Sequence, residues 1–280
     1  MTHEGFCYNV MLGPVGLYLY REPWASTLDC DVLALRLRGL LPSIHVEVRG
    51  PFITHQLSSL APDERKRCLE ELALGFATAK VHSPLRPDLN TTPLPGEISY
   101  ERRRLEEGSK VFGLFYDGFE LMRLLSGLIP NMERSLRHIH VVFTNQLFGT
   151  WEDDDRRYHA RVSLYGFPSL VSTTGLVEAP AKPREFYFLK QQYLALGMAD
   201  AADAGLKREF RGRVLEHGDE RLTEVLLGYV LQAVFHQLWG EPFCDDPGCR
   251  LFNAHWQEEV LQAQIGGDYE LCPRHTEMLE

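Results

Sequence analysis

The chain has 280 residues, 44% hydrophobic and 24% charged, with 29 basic and 39 acidic side chains for a net charge of −10. That composition excludes collagen, coiled coil and wholesale disorder, and the negative balance disfavours nucleic acid and anionic lipid as partners. The longest apolar run, at 225–235, falls short of the about 20 residues that a membrane helix needs. The N-terminus has no basic start and is broken by Gly13, Pro14 and Gly16, so no secretory signal is expected and the chain reads as cytoplasmic.

In chain order, residues 17–20 predict a strand, and Val32, Leu33, Leu35, Leu37, Leu40 and Leu41 a helix that Pro42 stops. Ile44, Val46 and Val48 alternate with His45, Glu47 and Arg49, the period of a strand with one buried face. The three form a β-α-β unit. A second helix starts near Pro62, with Asp63 and Glu64 in its first turn, and buries Leu69, Leu72, Ala73 and Phe76. Over 83–96, Pro84, Pro87, Pro93 and Pro95 oppose regular structure. Together with the charged YERRRLEE that follows, this stretch reads as a long surface loop rather than a domain boundary.

Residues 111–116 read as a strand and FELMRLLSGLI as a helix. Further strands follow over HIHVVFT and over 158–166, with a turn at Asp153, Asp154 and Asp155 between them. A turn-rich stretch with Pro180 and Pro183 approaches a helix that starts near Arg184. Over 220–239 apolar residues occupy nearly every face of a helix, which makes it central, and Gly240 ends it.

Cys7, Cys30 and Cys68 are scattered, as expected of buried thiols in a reduced compartment. Cys244 and Cys249 flank DDPG, a tight turn, and Cys272 and His275 stand three residues apart. The two pairs make a candidate zinc site, one ion per chain. Three cysteines and a histidine close a tetrahedral shell and leave no position for substrate or water, so the role is structural. Such a site would tie the last segment onto the end of the central helix. The alternative is three unrelated buried thiols and a surface histidine.

The succession of central helix, Gly240, Cys244, four residues, Cys249, a helix and CPRH resembles the C-terminal half of the archaemetzincins, a branch of the metzincin zinc peptidases. Their pattern is HExxHxxGxxHC, four residues, a second cysteine, a methionine two residues on, and a closing CxxC. ARVSLYG is similar to their strand ahead of the active-site helix. The resemblance implies one metzincin-like α/β domain over 1–280, a mixed twisted sheet with helices, and a zinc-stabilised segment at 240–280.

With Gly240 and Cys244 laid on the motif glycine and cysteine, the first histidine falls on Ala233, the glutamate on Val234, the second histidine on Gln237 and the third on Phe243. Leu251 stands for the methionine and His275 for the last cysteine. Two histidines at i and i+4 grip one zinc while the glutamate takes the proton of its bound water. Ala233, Val234 and Gln237 supply neither, so no catalytic residue is assigned.

His236 lies about 100° around the helix from the lost second ligand and reads as a satisfied core or cleft histidine. His138, His140, His159 and His255 sit on separate segments. Glu178, in a proline-fixed loop near Lys182 and Arg184, either lines a cleft or makes a surface ion pair. The three aspartates read as a solvated turn, and STTG lacks a phosphate-loop frame.

The expected function is that of a catalytically degenerate relative of a zinc metallopeptidase, whose groove takes a peptide or protein segment as an added strand. One alternative is a working metal-dependent peptidase or hydrolase that uses histidines from other segments. Another is a zinc-knuckle interaction protein without the metzincin sheet.

Overall fold

A computed structural model describes residues 15–87, 92–107 and 113–279. Cys7 lies outside the described residues, as does part of the strand expected over 111–116.

The β-α-β unit consists of β1 (Val15–Tyr20), α1 (Cys30–Leu40) and β2 (Ile44–Arg49). The Asp29 carboxylate caps α1 by accepting the N–H groups of Asp31 and Val32, and the helix buries Cys30, Leu33, Ala34 and Leu37. There follow α2 (Phe52–Leu57) and α3 (Pro62–Thr78), which begins at Pro62 and buries the four residues its period singled out.

Next comes α4 (Pro95–Glu107), which corrects the expected loop: YERRRLEE is helical. Its buried face is polar, so no apolar period marks it. The Glu101 carboxylate is fully buried and accepts from Lys80 Nζ at 2.9 Å, Arg104 Nε at 2.7 Å and the Tyr116 hydroxyl at 3.0 Å. A buried carboxylate is tolerable when paired this completely.

Next are β3 (Phe115–Asp117), α5 (Gly118–Ser126), β4 (His138–Thr144), β5 (Leu147–Glu152), β6 (Arg157–Arg161), β7 (Ser163–Leu164) and β8 (Ser169–Ser172). The turn-rich stretch therefore holds a strand, and then a helix, α6 (Thr173–Glu178), whose first turn Ser172 caps through Gly175 N–H. The chain continues with α7 (Arg184–Ala195), α8 (Ala199–Glu209) and α9 (Leu222–Trp239). It closes with α10 (Gln257–Leu261), a π-helical turn at Gln262–Gly266, and α11 (Pro273–Glu277).

The larger sheet has the order β2-β1-β4-β8-β7, parallel except for β7. A smaller sheet has the order β3-β5-β6, with β6 antiparallel to β5. The stretch 157–164 is thus the outer strand of both. On one face of the larger sheet, α1 and α9 pack on Leu17, Leu19, Ile139 and Val141. On the other, α2, α3 and α5 pack on Tyr20, Val142 and Leu170. This is the mixed α/β class, with helices on both faces of a mainly parallel sheet. Among the described residues, no helix is long and apolar enough to cross a membrane.

Candidate metal centre and cleft

Gly240 ends α9 with φ 75°, a left-handed turn suited to glycine, and aims the chain into the cysteine segment. Cys244 N–H donates to Leu251 O at 2.8 Å and Cys249 N–H to Asp246 O at 3.0 Å, which closes the DDPG turn. Cys272 is the N-cap of α11, with Pro273 in its first turn, so His275 comes round the helix onto the same side.

The ligand atoms of Cys244, Cys249, Cys272 and His275 all lie within 4.8 Å of one another, and all four residues are buried. Cys244 Sγ is 3.9 Å from Cys272 Sγ, while His275 Nδ1 is 3.0 Å from Cys272 Sγ and 3.8 Å from Cys249 Sγ. A sulfur pair at that distance is no disulfide, whose bond is about 2.05 Å. It is close to the edge of a tetrahedron with zinc–sulfur bonds of about 2.3 Å, for which sulfurs stand about 3.8 Å apart. The residues fit a zinc ion on donor chemistry and on spacing.

Burial pushes Cys249 up to about 12, and it raises Cys244 and lowers His275. A dication is what would bring the thiols to the thiolate form here. Backbone N–H groups already point at two sulfurs, Asp246 at Cys244 Sγ and Cys272 at Cys249 Sγ, at 3.4 and 3.5 Å.

The cluster leans on the end of α9, where the His275 ring meets Phe235 edge-on with centroids 5.2 Å apart. Deeper along α9, Arg250 pairs with Glu224 and Glu270, and Arg36 of α1 pairs with the same two acids. Four charges thereby join α1, α9, the cysteine segment and the chain ahead of Cys272.

A cleft of about 660 Å³ opens between the outer strand at 157–164 and one side of α9. From α9 it is lined by Tyr229, Gln232 and His236, at i, i+3 and i+7. Ala233 and Val234 do not line it, being fully buried in the core, and neither does Gln237. The motif positions read from Gly240 therefore sit one residue out of phase with the cleft. The i and i+4 pair that faces it is Gln232 and His236, and the residue after Gln232 is Ala233. A helix apolar on all sides offers no sidedness from which to read this in sequence.

Gln232 is committed at both ends: its side-chain oxygen accepts from the Tyr165 hydroxyl, and its Nε2 donates to Phe252 O at 3.2 Å. His236 lies against Tyr165 with centroids 6.0 Å apart, and burial lowers its pKa.

His159 and His255 also line the cleft, and His159 Nε2 lies 2.8 Å from Asp155 Oδ2. Among the described residues, the donor atoms of these histidines do not come together as a metal group; the Cys244, Cys249, Cys272 and His275 set does. His138 and His140 share a face and stack on Tyr18, with hydrogen bonds to Ser135 Oγ and Tyr20 Oη. Glu178 is not in the cleft; it makes a half-exposed pair with His217 at 3.4 Å. Asp153 accepts from Trp151 Nε1, and the aspartate turn is exposed. Cys30 is buried and Cys68 half-buried.

Residues 14–280 match the probable metallopeptidase family (DUF6775). No curated protein matches the chain. Among solved structures, the crystal structure of archaemetzincin from Methanopyrus kandleri at 1.5 Å resolution is similar, at 12% sequence identity and a TM-score of 0.44, over 95% of this chain and 93% of that one.

Proposed function

The chain belongs to the probable metallopeptidase family (DUF6775), and from that premise we propose that it is a non-cutting relative of a zinc metallopeptidase. In this reading Cys244, Cys249, Cys272 and His275 hold one structural zinc, and the cleft takes a peptide or protein segment. The observation that carries it is the pairing across the cleft: an outer strand on one wall, and Gln232 and His236 on the other. An extended peptide can add to such a strand through main-chain hydrogen bonds, with side chains seated against Trp151, Tyr165 and Phe243. Gln232 is a poor zinc ligand already engaged with Tyr165 and Phe252, and Ala233 offers no carboxylate to take a proton from water.

Elemental analysis of the purified chain tests the metal, with one zinc per chain expected and none in a Cys244→Ser/Cys272→Ser variant. A randomised peptide library tests the cleft. Bound peptides should slow amide exchange at 157–164 and be recovered uncut by mass spectrometry. The competing reading, a working hydrolase, rests on His159, His236 and His255 lining the same cleft. A second zinc that survives in the double variant, with peptide cleavage abolished by His236→Ala, would decide for it.

A further inference from the structure

A second concavity lies at the carboxyl ends of β1 and β4, and nothing in the metallopeptidase reading uses it. From β1 the chain crosses to β2 on one side, whereas β4 lies on the other, so the carboxyl ends of β1 and β4 flank the point at which the sheet order reverses. In open α/β sheets the crevice outside the strand ends at such a point is where ligands bind. Here it is a cavity of about 110 Å³, formed by the residues after β1, the start of α2 and the turn after β4.

Two donors in this crevice lack partners. Asn145 and Arg104 are each 7% exposed, both line the cavity, and Asn145 Nδ2 and Arg104 Nη2 have no hydrogen-bond acceptor. A buried donor left unmade is costly, so two in one cavity point to an acceptor that arrives from outside. Two neighbouring polar groups are engaged. Glu22 accepts from Trp24 N–H at 2.9 Å and Asn145 N–H at 2.8 Å, and Arg104 Nε is bound to Glu101. The wall also carries Arg21, Thr54, Thr144 and Gln146, beside an apolar side made by Phe52, Phe76, Leu125 and Val142.

We infer that this crevice binds a short-chain carboxylate, its two oxygens taken by Asn145 Nδ2 and Arg104 Nη2 and its hydrocarbon tail by the apolar wall. A guanidinium has donors and no acceptor, and an asparagine amide adds two N–H donors beside its own carbonyl oxygen, so both can donate to a carboxylate. The size suits it, since a cavity of about 150 Å³ holds benzene, and about 110 Å³ leaves room for a ligand the size of butyrate.

The test is a titration of the full chain, labelled with ¹⁵N, by butyrate and by 1-butanol, which shares the tail and lacks the carboxylate. Butyrate should shift the Asn145 side-chain amide signals and saturate. It should bind at least about tenfold more tightly than 1-butanol, and about tenfold more weakly to Asn145→Ala, as expected for a hydrogen bond to a charged group. Without ligand, Asn145→Ala should melt no lower than the parent, because the side chain it removes carries an unmade donor. Equal binding of the alcohol, shifts confined to other residues, or undiminished butyrate binding by Asn145→Ala would overturn the assignment. The shift on the parent chain decides even if the variant does not fold.

Discussion

His140 shows how one side chain sets a pH limit. It is 1% exposed, its Nδ1 lies 3.0 Å from the Tyr20 hydroxyl, and burial pushes it down from the usual 6.5 to about 4. The same burial raises Tyr20 to about 12. Below pH 6.5 the unfolded chain takes up a proton that the folded chain refuses until about pH 4, so stability is lost as pH falls through that window and levels off beneath it. The full loss is about 3 kcal/mol. Melting curves between pH 7 and 4 should therefore be flatter for His140→Gln than for the parent.

At the Cys/His cluster, the proposed zinc site, Cys249→Ser should abolish zinc binding and lower Tm by roughly 6–12 °C, for a loss of about 3 kcal/mol. A colorimetric zinc assay and a thermal melt on the same sample check both effects. The four residues of this cluster were legible in the sequence because their spacing is chemistry-bearing in itself. The crevice donors Asn145 and Arg104 were not, because an asparagine in a turn and an arginine in a charged run look ordinary until tertiary packing hides them.

Among elements, α4 and α9 mark two limits of pattern reading. Helix α9 announces itself by a nearly continuous apolar run, yet that run conceals which side meets the cleft. Helix α4 is concealed because the face it buries carries Glu101 and Arg104. Removing the carboxylate strands two buried cations, so Glu101→Ala should cost about 3–5 kcal/mol. Arg123→Ala, which breaks an exposed pair with Glu120, should cost at most about 1 kcal/mol. Urea denaturation of the two variants side by side measures the contrast.

A tighter constraint lies where the π-helical turn at Gln262–Gly266 crosses α9. A methyl group on Gly228 would run into the Gln264 side chain, which is buried and held by its bond to Arg250 O at 2.9 Å. Gly228→Ala should therefore destabilise by about 1–3 kcal/mol despite the better helix former. The same denaturation curves read it.

For the molecule as a whole, the C-terminal clasp and the sheet are separable supports. The parallel ladders of β2, β1, β4 and β8 involve no residue of the cysteine segment. Chelation should thus leave most of the far-ultraviolet signal intact while amides from Gly240 onward exchange faster, a pattern that hydrogen-exchange mass spectrometry resolves. With thiols that burial holds protonated, zinc uptake should release protons and weaken as pH falls. The β-α-β unit and α3 follow directly from apolar period and proline placement. The short strands β5 and β8 do not, since fragments of four to six residues acquire their identity from neighbours in the sheet.

The covering of the sheet by α9 bears on how the protein is made. Leu17, Leu19, Ile139 and Val141 lie on a face completed only by residues numbered from 222 onward. During translation, at about 5–20 residues per second, the nascent chain carries that greasy surface covered by α1 alone for several seconds after β4 has emerged from the ribosome. A fragment halted before residue 222 should consequently cling to chaperones or precipitate, whereas the finished chain should not.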